Sequence, residues 1–129
     1  MEHVLIVEDQ ASELRVVADL AASLGATRVE GRTSASAAIL YLQSALEGKT
    51  PIPDVMVVDL DLGYESGFEL LRFWHGNARL AKSRLVVWTI MGPEQQEICQ
   101  LFKVDAVISK AEGVAALKRA IETRARAAS

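Results

Sequence analysis

The chain predicts a doubly wound α/β fold: a five-stranded parallel sheet with helices on both faces. Two observations carry this reading. Five short apolar runs alternate with five segments of helical period, the pattern of successive βα units. The runs at 4–7, 55–58 and 85–88 are continuously apolar, as strands covered on both faces must be. A length of 129 residues suits one core, so a single domain is expected over 1–126, with 127–129 as a tail.

The elements follow in order. The first strand is 4–7. A helix over 12–24 repeats apolar residues at Leu14, Val17, Leu20, Ala21 and Leu24, and Gly25 closes it. The weaker run at 27–30 reads as an edge strand. Ser34 or Ser36 can cap a helix carrying Ala38, Ile39, Leu42 and Leu46. Pro51 and Pro53 mark a connection before the third strand, Val55–Val58. Residues 63–67 read as a loop, with Glu65 solvated, followed by a helix over Phe68–His75 with Leu70, Leu71 and Trp74 inward. The fourth strand is 85–89. Pro93 suits the first turn of a helix holding Ile98, Leu101 and Phe102. The fifth strand is Ala106–Ser109, and a last helix over 112–126 turns Val114, Leu117, Ala120 and Ile121 inward. Lys118, Arg119, Arg124 and Arg126 read as a solvated helix end.

The bulk numbers narrow the class. Half of the residues are apolar and 24% are charged, as in ordinary soluble domains. A net charge of −3 argues against a nucleic-acid surface built on bulk charge. The lone Cys99 excludes an internal disulfide and a multi-Cys zinc site, reads as a small core residue, and fits a reducing cytoplasm. His3 and His75 lack companions at ligand spacing. No leader and no membrane span are read from the chain, so no membrane partner is expected.

In an open α/β sheet, ligands bind outside the carboxyl ends of the strands. Here the first strand ends in Glu8 and Asp9, the third in Asp59 with Asp61 two residues on, the fourth in Thr89, and the fifth in Ser109 and Lys110. Taken alone, Asp9 also fits a helix cap and Asp59 a turn. Together they make a site. Two carboxylates about 4 Å apart repel by roughly 4 kcal/mol at an effective dielectric near ~20. Asp9 and Asp59 are therefore expected to have raised pKa values or to share a cation. Oxygen ligands with few protein groups suit Mg²⁺. A carboxylate beside it can accept a phosphoryl group, with Thr89 and Lys110 contacting the phosphoryl oxygens.

Glu8-Asp9 after the first strand, Pro53 through Asp59 with Gly67 eight residues on, Thr89 and Lys110 together resemble the receiver domains of two-component response regulators. The resemblance covers essentially the whole chain and points to single-domain, chemotaxis-regulator-like forms. It implies a flavodoxin-like sheet of order 2-1-3-4-5. It also implies Asp59 as phosphoacceptor, side-chain metal ligation by Asp9 and Asp59, Glu8 acting through water, and Asp61 through its backbone carbonyl. Thr89 and Lys110 would grip the phosphoryl group. The implied partners are a sensor histidine kinase or phosphotransfer protein and a downstream protein target or second copy. The latter would be met by the fourth helix, fifth strand and fifth helix. The chain would catalyse only its own phosphorylation and dephosphorylation.

Four positions depart from that family: Gly63 and Ala111 stand where proline is usual, Ile90 where a small residue is, and Val107 where an aromatic is. The 49–53 connection and the missing proline after Lys110 are similar to the small regulators that partner bacterial phytochromes. Ile90 and Val107 motivate a second reading, a degenerate receiver used as a binding module. A third reading is a haloacid-dehalogenase-type phosphatase, since Asp59 and Asp61 match its nucleophile-x-acid pair. Against it stand the third-strand position of Asp59, the unexplained Glu8-Asp9, and the lack of an acidic metal motif after Lys110. A flavin role is disfavoured, because Glu8 and Asp9 would repel a flavin phosphate.

Overall fold

The computed structural model describes residues 2–128, with side chains described through Glu122. The reading of Arg124 and Arg126, and of the 127–129 tail, concerns side chains outside the described ones. Elements run β1 (His3–Val7), α1 (Ala11–Ser23), β2 (Arg28–Arg32), α2 (Ala35–Leu46), β3 (Val55–Val58), β4 (Asp61–Leu62), β5 (Glu65–Ser66), α3 (Phe68–His75), β6 (Arg84–Thr89), α4 (Pro93–Leu101), β7 (Ala106–Ser109) and α5 (Val114–Ala128). Short 3₁₀ turns occupy Ala78–Leu80 and Lys110–Glu112.

The main sheet has the order β2-β1-β3-β6-β7, with every pair parallel. In sheet strands alone this is 2-1-3-4-5, as expected. Successive side chains on a strand face opposite sides, and the core divides accordingly. Leu5, Val7, Met56, Val58, Leu85 and Val87 face the layer of α2, α3 and α4. Val4, Ile6, Val55, Val57, Val86 and Trp88 face α1 and α5. The edge strand β2 is only partly covered.

Local signals set the helix starts. The Ser34 hydroxyl accepts from the Ala37 N–H at 3.1 Å, so Ser34 is the cap of α2. Pro93 occupies the first turn of α4. The α1 N-cap is Gln10, with no side-chain cap bond. Asp9 therefore does not serve as that cap.

Several details differ from the sequence reading. Residues 61–66 form a small antiparallel hairpin, with Asp61 paired to Ser66 and Leu62 to Glu65. Glu65 is not simply solvated: it accepts from the Ser36 N–H at 3.0 Å and from the Ser36 hydroxyl at 2.9 Å. These bonds tie the hairpin to the start of α2 and hold the Glu65 carboxyl below its usual range. Leu101 and Val114 are exposed rather than inward. Leu101 is the last residue of α4, and the chain turns extended at Phe102, which packs edge-on against Phe68. Val114 opens α5, one turn short of the core residue Leu117.

Candidate functional site

Sheet register builds the site. Val7 pairs with Val58, and Val58 with Val87, so the strands run out together. Glu8 and Asp59 are the next residues on neighbouring strands, and the Asp59 N–H bonds the Val7 carbonyl at 3.0 Å. Thr89 pairs with Ser109 on β7, which delivers Lys110 to the same edge. Ser109 and Glu112 form a reciprocal capping box around the 3₁₀ turn that carries Lys110. Asp54, at the far end of β3, is structural: it accepts from the Glu2 and His3 N–H groups at 3.0 and 2.8 Å.

Asp59 is buried, with 6% exposure, and is held from three directions. Its Oδ1 accepts from the Thr89 hydroxyl at 2.5 Å and from the Asp61 N–H at 3.0 Å. Its Oδ2 accepts from Lys110 Nζ at 2.8 Å. The same ammonium reaches Glu8 Oε1 at 2.7 Å and also bonds Glu13 Oε2. Beneath Lys110 lies the buried ring of Trp88, 5.2 Å from Nζ to centroid.

Charges follow from these contacts. Burial pushes the Asp59 carboxyl upward, but Lys110, Thr89 and the Asp61 N–H outweigh it and hold the group below its usual value. Of the two alternatives expected, raised carboxyl pKa values or a shared cation, the first does not hold at Asp59, because Lys110 makes a direct ion pair with it. The acid pushed up is Glu8, to about 9, through burial first and then its neighbour Glu13. Burial works against the Lys110 charge, yet Asp59, Glu13 and Glu8 raise its pKa above the usual lysine range. Glu13 is lowered by Glu8 and Lys110.

Of the residues expected at the site, Glu8, Asp59, Thr89 and Lys110 are in direct contact through these bonds. Asp9 and Asp61 are exposed and line an adjoining cleft of about 180 Å³ together with Glu13, Asp59, Ile90 and Lys110. Glu13 is the residue that sequence reasoning missed. Its signal was its place in the first turn of α1, because that turn opens at the carboxyl edge of the sheet.

The donors suit a hard divalent cation. One carboxylate oxygen each from Glu8, Glu13 and Asp59 lie within 4.8 Å of one another. Glu8 Oε2 is buried without a hydrogen-bond partner. Glu13 and Asp59, both held below their usual range, face the one ammonium of Lys110, an excess of negative charge that oxygen-seeking Mg²⁺ can offset.

No family model and no curated protein matches the chain. Solved structures do. The receiver domain of sensor histidine kinase PA1611 from Pseudomonas aeruginosa PAO1, with magnesium coordinated in its active-site cleft, has a TM-score of 0.78 at 18% identity, covering 95% of this chain and 97% of that one. The Mn²⁺-bound response regulator Rcp1 has a TM-score of 0.76 at 21% identity, covering 95% and 91%. The phosphorylated cyanobacterial phytochrome response regulator RcpA has a TM-score of 0.76 at 20% identity, with the same coverage. The fold is that of a response-regulator receiver domain.

Within this receiver fold the departures acquire geometry. Gly63 has φ +72°, which no proline can adopt, and opens the two-residue turn of the β4–β5 hairpin. Tyr64 has no positive φ, so the pair has the sign pattern of a type II′ turn. Ile90 stands 70% exposed at the mouth of the cleft. Val107 is partly exposed on β7, where it pairs with Val87.

Proposed function

We propose that the chain is a phosphoacceptor receiver in a two-component phosphorelay, taking a phosphoryl group from a histidine kinase or phosphotransfer protein onto Asp59. The observation that carries this is the Asp59 carboxylate: buried at a strand end, ionised, and held by Thr89, Lys110 and the Asp61 N–H. An Asp59 oxygen attacks phosphorus, a new P–O bond forms, and the bond to the donor's leaving atom breaks. Lys110 keeps Asp59 ionised before transfer, and its ammonium and the Thr89 hydroxyl are placed to take up phosphoryl oxygens afterwards. Mg²⁺, when bound, would neutralise charge on those oxygens. Glu8 and Asp59 would hold it, with Asp9 and Asp61 on the cleft side.

Output is by altered protein binding, through the face of α4, β7 and α5 toward a target protein or a second copy. Such a partner places the chain in the cytoplasm, and the chain turns over no substrate beyond its own aspartyl phosphate. Among the described residues no helix is long and apolar enough to cross a membrane.

A second reading, a phosphorylation-independent binding module, draws on Ile90 over the cleft and on Val107. The phosphatase reading has less support, since Asp61 is exposed and offers Asp59 its backbone N–H. Incubation with acetyl phosphate and Mg²⁺, followed by intact mass measurement, separates the three. One phosphoryl adduct on wild type and none on Asp59→Asn is the expected result. Absence of any adduct would favour the binding module, and steady hydrolysis of varied phosphoesters would favour the phosphatase.

A further inference from the structure

We propose that Glu13 is a positioning residue that competes with the phosphoryl group for the Lys110 ammonium, so that α1 restrains the loading of Asp59 until Glu13 lets go. This rests on the receiver reading above and adds to it a restraint that neither the strand ends nor the family pattern supplies.

The hydrogen bonds of Lys110 carry the argument. A lysine ammonium has three N–H donors and no acceptor. Nζ gives one to Glu8 Oε1 at 2.7 Å, one to Asp59 Oδ2 at 2.8 Å and one to Glu13 Oε2, so none is left over. The lysine side chain is 11% exposed, and the Trp88 ring lies beneath it. A phosphoryl group on Asp59 brings several anionic oxygens to this ammonium. The N–H now on Asp59 Oδ2 can pass to one of them. Any further donor must come from a partner that gives up its bond.

The partners differ in their freedom to do so. The Glu8 side chain is 3% exposed and has no route to water. Glu13 is 31% exposed, lines the cleft with Asp59, Ile90 and Lys110, and hangs from the first turn of α1. Its carboxylate can turn outward and be hydrated while its backbone stays in place. Glu13 is therefore the acceptor that yields, and its hold on Lys110 opposes loading.

The test titrates beryllofluoride, a phosphoryl mimic, into wild type, Glu13→Gln and Glu13→Asp by calorimetry, each at saturating Mg²⁺. Glu13→Gln removes the charge at constant size. Glu13→Asp keeps the charge but draws the carboxylate back from Lys110. Binding is expected to tighten by about fivefold in both, the upper end for an ion pair that reaches solvent. A merely structural role would weaken binding instead. Unchanged or weaker binding in Glu13→Gln overturns the proposal. If Glu13→Gln tightens while Glu13→Asp matches wild type, Glu13 acts through charge in the cleft rather than its hold on Lys110, and the proposal fails. In both of these cases wild-type binding leaves the receiver reading standing. If none of the proteins binds the mimic, both ideas fail together.

Discussion

Thr89 donates its hydroxyl hydrogen to Asp59 Oδ1 at 2.5 Å, and it does so with no exposed surface of its own. The Thr89 hydroxyl is thus already engaged with the carboxylate proposed to accept a phosphoryl group. A group added to Asp59 must displace or re-aim that bond. With Val107 in place of a neighbouring ring, the displacement has no aromatic rotamer on β7 to push against.

Removing the hydroxyl tests this bond. Thr89→Val keeps the β-branched strand shape but leaves Oδ1 with the Asp61 N–H alone. A hydrogen bond to a charged group contributes about 1.5–3 kcal/mol, so urea unfolding is expected to show a loss in that range. The Asp59 carboxyl, now less favoured as an anion, is expected to titrate at higher pH in carbon-detected NMR. An unmoved Asp59 titration would show that the bond is not made in solution.

Among the described residues, Lys110 is the cation shared by Glu8, Glu13 and Asp59. Lys110→Met leaves these acids facing one another. Breaking a buried pair from one side costs roughly 3–5 kcal/mol, and chemical denaturation is expected to register it. Millimolar Mg²⁺ should restore part of the loss, because the ion supplies the missing positive charge. Adding Asp59→Asn should also restore part by removing one acid. If both rescues fail, the lysine stabilises the fold by packing on Trp88 rather than by charge.

The pH response has a separate marker at the opposite end of β1. His3 is buried, and its Nε2 lies 2.8 Å from the Tyr41 hydroxyl. Burial first, and then Arg28, lower its pKa below 6.5. The unfolded chain therefore binds a proton below about 6.5 that the folded chain refuses. This contribution to stability is complete above that value and is lost as pH falls toward the folded pKa. The difference in unfolding free energy between wild type and His3→Gln isolates it from the acids around Lys110. Between pH 8 and pH 5 wild type is expected to lose stability relative to the variant; parallel curves would mean that His3 titrates normally.

What could be read ahead of the structure followed physical strength of signal. The strands Val55–Val58 and Ala106–Ser109 and the helix Phe68–His75 match residue for residue, because apolar runs and helical period extend over whole elements. The Asp59 edge was legible because a charge that ends an apolar run needs a partner. The β4–β5 hairpin was not, since two-residue strands carry no period. Nor was the direction of the Asp59 shift, which depends on whether Lys110 bonds the acid directly. Glu13 escaped because it belongs to a helix, and only the register of that helix against the sheet edge brings it to Lys110.

Two glycines near Asp59 make the last comparison. Gly63 has a left-handed φ of +72°, but an added Cβ would meet only Asp9 Oδ2, at 3.4 Å. Gly63→Ala therefore costs only the backbone term, about 1–2 kcal/mol. Gly67 has ordinary dihedrals, yet its Cβ would lie 2.7 Å from Leu60 Cδ2 and 2.8 Å from Leu60 Cα. A main-chain atom cannot rotate away, so α3 must shift from the strand end or Leu60 must move. Overpacking of this kind costs typically about 1–3 kcal/mol, and Leu60 adjoins Asp59, so the displacement reaches the site. Thermal unfolding and NMR of both variants should show Gly67→Ala to be the more damaging and the only one to shift Asp59 resonances. The reverse order would place the tight contact in the hairpin rather than beneath Asp59.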